Sequence, residues 1–459
     1  MSRVNERGDM RAYLCRGVFV CLIAPMLFIQ SCGGNNNPPP SRNNVLFIFV
    51  DDLRTTLGSY GDPLARSPNM DRLAGEGIKF ENAFCQFPLC NPSRTSCLSG
   101  LRPESTKVIK NTTNPRTKLP DRVFLPEYFK ANGYFTARVG KIEHNAWPNI
   151  VSWDQAEDDP ENPGEEPGNI AQLPGWEASN LKDRELPDGQ IAHRAIELLR
   201  ENKGRTFFLG VGFRRPHRPL VAPKKYFQFY NINDITLPPE ALAEGDVPLK
   251  SKQEVVLAYY ACVSFVDAQI GLVLDELSRL GLRDRTFVVL VSDHGVDLGE
   301  RNRFVYKHSL YDNIVRVPMM LSGPGLPRGV TLSNLVELVD LYPTLADLCE
   351  LPQPAGMEGL SMAGILRDPD SPWRSAAFMD DLMKETPSKG ARTDRYKYIS
   401  EGNGQELLFD LSLDPKETSN LAADPNSRKV LTEMRDILRQ GWRGGAPHLA
   451  ARPGGKANQ

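Results

Sequence analysis

Residues 44–52 read NVLFIFVDD: an unbroken apolar run, Val45 to Val50, that stops at two aspartates. A strand with one wet face alternates apolar and polar side chains. An unbroken run therefore marks a strand covered on both faces, the situation of a parallel sheet flanked by helices. Further strands are read near Tyr134 to Val139 in GYFTARVGK, Thr206 to Gly212 in TFFLGVGF, Phe287 to Ser292 in RTFVVLVSDHG, and Pro318 to Leu321 in VPMMLSGPG. Helical spacing falls between these runs. SPNMDRLAGEG has a serine start and a glycine stop, LPEYFKANG ends at Gly133, and DGQIAHRAIELLREN and KQEVVLAYYACVSFVDAQIGLVLDELSRLG repeat apolar residues every three or four positions. The alternation predicts an α/β fold, a large mostly parallel sheet sandwiched by helices over residues 44–370. Ligands of such sheets bind outside the carboxyl ends of the strands. After about Asp370 the texture changes to short antiparallel strands and one helix, RTDRYKYISEGNGQELLFDLSLDP and SRKVLTEMRDILRQGW. This predicts a smaller C-terminal α+β subdomain with an antiparallel sheet over 371–443, followed by a loose tail, 444–459.

The N-terminus reads as a processing segment. Arg3, Arg7, Arg11 and Arg16 precede an apolar run, Gly17 to Ile29, that ends in IQSC. The run is shorter than the roughly 20 residues that span a bilayer. Residues 1–31 are expected to be a signal peptide similar to those of bacterial lipoproteins, cut before Cys32, whose sulfur would carry a lipid anchor. Residues 32–43, CGGNNNPPPSRN, suit a flexible tether from a membrane surface. The expected location is the periplasm or the outer membrane. A formal net charge of -2 over 459 residues carries no nucleic-acid footprint, so any affinity for anions has to be local. The insert WDQAEDDPENPGEEPGN, 153–169, is acidic and is expected as a solvated loop at a rim or pointing away from an anionic ligand.

Eight cysteines fall to five once the signal and Cys32 are set aside: Cys85, Cys90, Cys97, Cys262 and Cys349. They form no C-x-x-C pair and no zinc spacing. An odd number in an oxidising compartment invites a special role for one of them. Cys97 is expected to pack in the core; Cys85 could pair with another cysteine, with nothing to indicate which.

The polar residues that follow the strands converge. Asp51 and Asp52 follow the first strand, Lys141 and His144 the second, His217 in RRPHR the third, and Asp293 and His294 the fourth, with Lys307 and His308 soon after. All fall on one edge of the predicted sheet. Three carboxylates in one crevice need a counter-charge, and adjacent oxygens from Asp51, Asp52 and Asp293 suit a hard divalent ion, Ca²⁺ or Mg²⁺. Arg94, Lys141, His144, His217 and Lys307 suit a tetrahedral anion. His193 on a helix and His448 in the tail are expected to be structural.

CNPSRTSCLSG, residues 90–100, fits C-x-P-S-R-x-x-x-L-[ST]-G through Cys90, Pro92, Ser93, Arg94, Leu98, Ser99 and Gly100. With FVDDLR, GKIEH, RPHRP, SDHG and LVELVDLYPTLADL, the chain from about Asn44 to LLFDLSLDPKETSNLA resembles the formylglycine-dependent type I sulfatases of the alkaline phosphatase superfamily, closest to the iduronate 2-sulfatase-like branch. The resemblance implies that a formylglycine-generating or sulfatase-maturing enzyme oxidises Cys90 to an aldehyde, whose hydrate carries two hydroxyls. One attacks sulfur and the alcohol leaves; the other then loses its proton, expels sulfate and restores the aldehyde. It implies that Asp51, Asp52, Asp293 and His294, with residue 90, hold the cation, calcium in first place and magnesium or manganese as alternatives. It implies that Arg94 orients residue 90, that Lys141 bridges it to the sulfate, and that His144 takes the second hydroxyl's proton. His217 and Lys307 would grip sulfate oxygens. His217, with an unperturbed pKa of about 6.5, is the preferred donor to the leaving oxygen. His308 is a neighbour at the pocket rim or a weaker participant. The implied substrate is a sulfated carbohydrate, with 2-O-sulfated uronic acid one possibility. A phosphonate or phosphodiester hydrolase of the same superfamily and a non-catalytic lipoprotein that binds sulfated glycans are the alternatives.

Overall fold

The structure is a computed structural model that describes residues 42–144, 150–158, 173–242, 247–383 and 385–444. The signal, Cys32, most of the tether, the middle of the acidic insert and His448 with the tail lie outside these residues.

The main sheet has eight strands: β1 (Asn44–Val50), β2 (Ile78–Phe84), β3 (Phe135–Gly140), β4 (Gln155–Glu157), β5 (Phe207–Phe213), β6 (Thr286–Ser292), β7 (Met319–Ser322) and β8 (Val330–Glu337). Their spatial order is β8-β2-β7-β6-β1-β5-β3-β4. β7 is antiparallel to both of its neighbours, and every other pairing is parallel. The sheet is therefore mostly parallel, as the unbroken apolar runs require.

β1 is buried along its whole length because it separates two cores. Leu46, Ile48 and Val50 join the core on one face, with helices Pro187–Asn202 and Leu249–Arg279. Val45, Phe47 and Phe49 join the core on the other face, with Cys97, Leu98 and helix Leu341–Leu348. Alternate side chains of a strand point to opposite faces, so an all-apolar strand can feed both layers at once. Helix Leu249–Arg279 has the length and composition of a membrane span, but it packs as a core helix.

The C-terminal residues form a four-stranded antiparallel sheet, Ala377–Asp381, Ser388–Arg392, Tyr396–Ser400 and Glu406–Asp410. Helix Arg428–Gly444 covers one face through Leu431 and Met434. The other face contributes Met379, Ile399 and Phe409 to the second main core. A buried ionic cluster fixes the junction. Lys397 donates to Asp312 at 2.6 Å, and the Asp312 amide donates to Glu417 at 2.6 Å.

Three expectations change. β2 and β8 have no unbroken apolar run, since they lie toward one side of the sheet and carry half-exposed residues. The start of the acidic insert is not a solvated loop. β4 pairs with β3, Trp153 is buried, and the acidic side chains serve as anchors: Asp154 accepts from the Thr136 amide at 2.9 Å, Glu157 pairs with Arg194 at 2.8 Å, and Asp158 with Arg138 at 2.6 Å. All five cysteines beyond the signal are buried and unbonded, so Cys85 has no disulfide partner among the described residues.

Glu417 carries a prediction. Burial, with the Asp312 charge beside it, raises its carboxyl from 4.5 to about 7 against the pull of Lys397. A raised pKa contributes stability that is complete below the unfolded value and is lost as pH rises through the folded one. Glu417→Gln, which does not titrate, should gain about 2 kcal/mol on the native protein between pH 5 and pH 8 in urea unfolding. An unchanged difference between the two pH values would show that Glu417 is ionised throughout.

Candidate active site

Strand register brings the polar residues together. Val50 pairs with Phe213 of β5 and with Ser292 of β6. The next residues, Asp51, Arg214 and Asp293, therefore leave the sheet at one level. Gly140 of β3 pairs with Gly212, which brings out Lys141 beside them. The Asp51 amide donates to the Phe213 carbonyl at 3.1 Å and the Lys141 amide to Gly212 at 3.0 Å, so the strands hold their register to the rim. Gly140 has φ of 74°, a left-handed turn that favours glycine, and a Cβ on Gly212 would collide with the Lys141 peptide.

Helix Cys90–Ser99 enters this rim with every residue buried. Its Ser93 hydroxyl donates to the Asp293 carbonyl at 2.6 Å. Arg94, only 1% exposed, reaches four acceptors: Asp293 Oδ2 at 2.8 Å, Asp51 Oδ1 at 2.9 Å, and the carbonyls of Lys141 at 2.5 Å and Ile142 at 3.1 Å. The face of its guanidinium lies 4.4 Å from the centre of the Phe49 ring. A planar fork of five donors is the side chain suited to this task, and lysine is not. Asn91 donates to the carbonyls of Lys110 at 3.0 Å and Thr113 at 2.7 Å, which holds that loop beside residue 90.

Around the Cys90 sulfur stand Lys307 Nζ at 3.1 Å and His294 Nε2 at 3.3 Å. Lys307 also meets Asp52 Oδ1 at 3.0 Å, and Lys141 meets Asp51 Oδ2 at 2.6 Å. Burial works to raise both aspartates, but the cations win. Lys141, Arg94 and His217 hold Asp51 well below the usual carboxylate range, and Lys307, His217 and His294 bring Asp52 to about 2. Burial works against the Lys307 charge, yet Asp52 and its neighbours raise the ammonium above its ordinary value. The Cys90 thiol moves the other way: burial pushes it up despite Lys141 and Lys307. A thiol so placed is a poor thiolate and a poor nucleophile.

His217 is half-buried, with Nδ1 at 2.6 Å from the Arg218 carbonyl. Burial lowers it to about 3, against the pull of Asp52 and Asp51. The unperturbed value that recommended it as a proton donor does not apply here; its ring is neutral near pH 7. His144 is buried three residues beyond Lys141. The His308 ring centre lies 5.8 Å from that of Tyr306. His193 sits half-buried on helix Pro187–Asn202.

The donor set fits a divalent cation. Carboxylate oxygens of Asp51, Asp52 and Asp293 lie within 4.8 Å of one another, as do ligand atoms of Asp52, Cys90 and His294. Both Asp51 and Asp52 are ionised. The His294 Nδ1–H donates to the Gly295 carbonyl at 3.0 Å, which leaves the Nε2 lone pair toward residue 90, the arrangement of a ligating imidazole. Hard oxygens predominate, with His294 as a nitrogen donor, and a third group brings a His217 ring nitrogen within 4.8 Å of ligand atoms of Asp51 and Cys90.

Residues 43–351 match the family model described as "Sulfatase", and residues 299–443 match "N-sulphoglucosamine sulphohydrolase, C-terminal". The chain belongs to the sulfatase family. It is 33% identical over 449 residues to a sulfatase of Formosa agariphila, covering 86% of each chain. It is 33% identical over 386 residues to the iduronate 2-sulfatase of Homo sapiens, covering 68% of this chain and 70% of that one. Among solved structures, the phosphonate monoester hydrolase of Agrobacterium radiobacter superposes with a TM-score of 0.73 at 22% identity, covering 88% of this chain and 95% of that one, and shares the fold. Family membership and these sulfatase relatives make this chain a sulfuric ester hydrolase.

Several supports of this sulfatase's site had no mark in the sequence. Asp188 accepts from the Arg214 and Arg215 amides at 2.8 and 2.9 Å and so fixes the RRPHR loop. Tyr259 donates to the Asp52 carbonyl at 2.8 Å, where Asp52 adopts a left-handed φ of 60°. The Ser292 hydroxyl accepts from the Leu53 amide at 3.0 Å. Nothing but tertiary contact distinguishes such residues.

Arg94→Lys keeps the charge and loses the fork. It should cost about 3 kcal/mol in denaturant unfolding and at least about 100-fold in sulfatase turnover. Retention of both would mean that one bond, not four, holds this centre.

Proposed function

We propose that the chain hydrolyses sulfate esters of a sulfated carbohydrate, using formylglycine made from Cys90 and a divalent cation, calcium. The observation that carries this reading is the Cys90 sulfur, sealed from solvent between Lys307 at 3.1 Å and His294 at 3.3 Å, in a nest of carboxylates. A raised thiol pKa makes the unmodified cysteine useless there, while an aldehyde hydrate has two hydroxyls to offer. The cation, held by Asp51, Asp52, Asp293, His294 and residue 90, would supply Lewis-acid stabilisation of negative charge on oxygen.

The remaining work falls to the chain's own residues. Arg94 fixes Asp51 and Asp293 and so the position of residue 90. Lys141 bridges residue 90 and a sulfate oxygen. Lys307, with its raised pKa, is a fixed cation for the sulfate head. His144 takes the proton of the second hydroxyl when sulfate is expelled. His217 is neutral in the free site; an arriving sulfate ester adds negative charge beside it and favours the proton it would pass to the leaving oxygen. The human iduronate 2-sulfatase relative supports a sulfated uronic acid as substrate class. Export, lipidation at Cys32 and maturation by a formylglycine-generating enzyme complete the reading. A phosphonate or phosphodiester hydrolase is the second reading, favoured by the fold shared with the Agrobacterium enzyme.

Mass analysis of the natively expressed protein should find residue 90 as an aldehyde, with oxygen in place of sulfur and two hydrogens fewer. Cys90→Ala should abolish sulfate release, and Cys90→Ser should retain at most one sulfate per chain. An unmodified thiol in an active preparation would refute the mechanism. Faster turnover of an aryl phosphodiester than of the matching sulfate would favour the second reading. His217→Gln should slow a sugar sulfate at least about tenfold more than a nitrophenyl sulfate, whose leaving oxygen needs no proton. Equal losses would remove His217 from proton delivery.

A further inference from the structure

Lys307 reaches the centre on an arm of improbable shape. Strand residues Asp297–Leu298 turn through Gly299 to Arg303 and return as Phe304–Tyr306, directly before Lys307. Along this short stretch Arg301, Asn302, Val305 and His308 all have positive φ, at 56°, 55°, 47° and 74°. The left-handed region is unfavourable for any residue with a side chain and most so for a β-branched one such as Val305. Backbone of this kind persists only where its surroundings over-determine it.

Glu240 accepts from the Arg301 amide at 3.1 Å and Glu300 from the Leu298 amide at 2.5 Å, but the two arginine side chains of the turn meet at one carboxylate. Asp297 is fully buried, lies four residues beyond Asp293 and belongs to none of the proposed catalytic steps. Its Oδ1 accepts from Asn313 Nδ2 at 2.7 Å and from Arg301, and its Oδ2 pairs with Arg303 Nε at 3.2 Å. Arg301 also donates to Asn313 at 2.8 Å and stacks 3.8 Å over Tyr311, while Arg303 lies 4.9 Å over Tyr306. Tyr306, the residue before Lys307, is the register partner of Asp297 itself. Both arginines of the turn are thus tied to this side chain, and the Asp297 backbone pairs with the residue before Lys307.

We infer that Asp297 is a positioning residue for Lys307: it clamps the strained 299–306 arm so that the ammonium stands at the sulfate-binding face of residue 90. The inference rests on the reading of Lys307 as a sulfate ligand. Without the Asp297 charge, Arg301 and Arg303 lose their shared acceptor, the arm relaxes toward ordinary backbone, and Lys307 withdraws from Asp52 and Cys90. The catalytic groups on the other strand ends stay in place.

The test is a double-mutant cycle on the mature enzyme, with 4-nitrophenyl sulfate as substrate and inorganic sulfate as inhibitor. Lys307→Ala should lower kcat/KM by about 100-fold or more and weaken sulfate inhibition. Asp297→Asn, isosteric but uncharged, should lower kcat/KM about tenfold or more and weaken sulfate inhibition by a similar factor, and Asp297→Glu should recover part of both. The double variant should be no worse than Lys307→Ala alone, because residues in one chain of contacts are non-additive. Additive losses, or a wild-type Asp297→Asn, would overturn the clamp while leaving Lys307 as a ligand. Wild-type behaviour of Lys307→Ala would overturn the reading of Lys307 and the clamp with it. Arg303→Gln removes the other side of the pair and serves in the same cycle if Asp297→Asn fails to fold.

Discussion

One guanidinium sets the geometry on which everything else in this molecule depends. Arg94 lies out of contact with solvent and joins the ends of β1, β3 and β6 through Asp51, the Lys141 and Ile142 carbonyls, and Asp293. A buried charge is tolerated only when its partners satisfy it. Arg94 therefore demands that these strand ends stay within hydrogen-bond reach, and they in turn demand Arg94. The helix that carries it begins at Cys90, so the same contacts fix where residue 90 stands. Ser93, bonded to the Asp293 carbonyl, adds a second tie from the same helix turn.

The charges around residue 90 balance without any bound group. Asp51, Asp52 and Asp293 face Arg94, Lys141 and Lys307. On the proposed reading, Asp51, Asp52 and Asp293 would hold the cation and Lys141 and Lys307 would face the sulfate, so electrostatics would favour the two binding together. Burial is the main cause of the raised thiol at Cys90, and Asp51 and Asp293 add to it against Lys141 and Lys307. The pocket does not favour a thiolate in the presence of three carboxylates and little water, which fits a cysteine whose chemical use begins after oxidation.

The sequence was informative where one residue type has few alternative explanations. Short apolar runs bounded by turn residues fit inner strands, so β1, β5 and β6 were legible, and β3, despite Thr136 and Arg138, through its place between a glycine-ended helix and Gly140. β2 and β8 were not, because strands with half-exposed residues lose the continuous pattern. The acidic stem at 154–158 misled for a related reason: composition reports charge, not partners, and Asp154, Glu157 and Asp158 are each bonded to a named neighbour. Asp188 and Tyr259 act through contacts 26 and 207 residues away in the sequence, and no local pattern names those partners.

The two groups proposed to grip sulfate are held in opposite protonation states, and that asymmetry bears on the chemistry. Lys307 keeps its proton because Asp52 and the neighbouring carboxylates outweigh burial; His217 loses its own because burial outweighs the same carboxylates. The difference follows from geometry. Lys307 Nζ touches Asp52 Oδ1 at 3.0 Å, whereas His217 spends Nδ1 on the Arg218 carbonyl at 2.6 Å and meets Asp51 only within a looser group whose ligand atoms, with that of Cys90, lie within 4.8 Å of one another. A permanently charged ammonium is a good electrostatic clamp and a reluctant acid, since losing its proton would leave Asp52 unpaired. A neutral imidazole at the edge of the same pocket has the opposite character. It takes up a proton only when more negative charge arrives, and it gives the proton away easily once that charge moves to the leaving oxygen. The division of labour between clamp and donor is therefore written in which residue owns a carboxylate, and the arm that ends in Lys307 is what gives it Asp52.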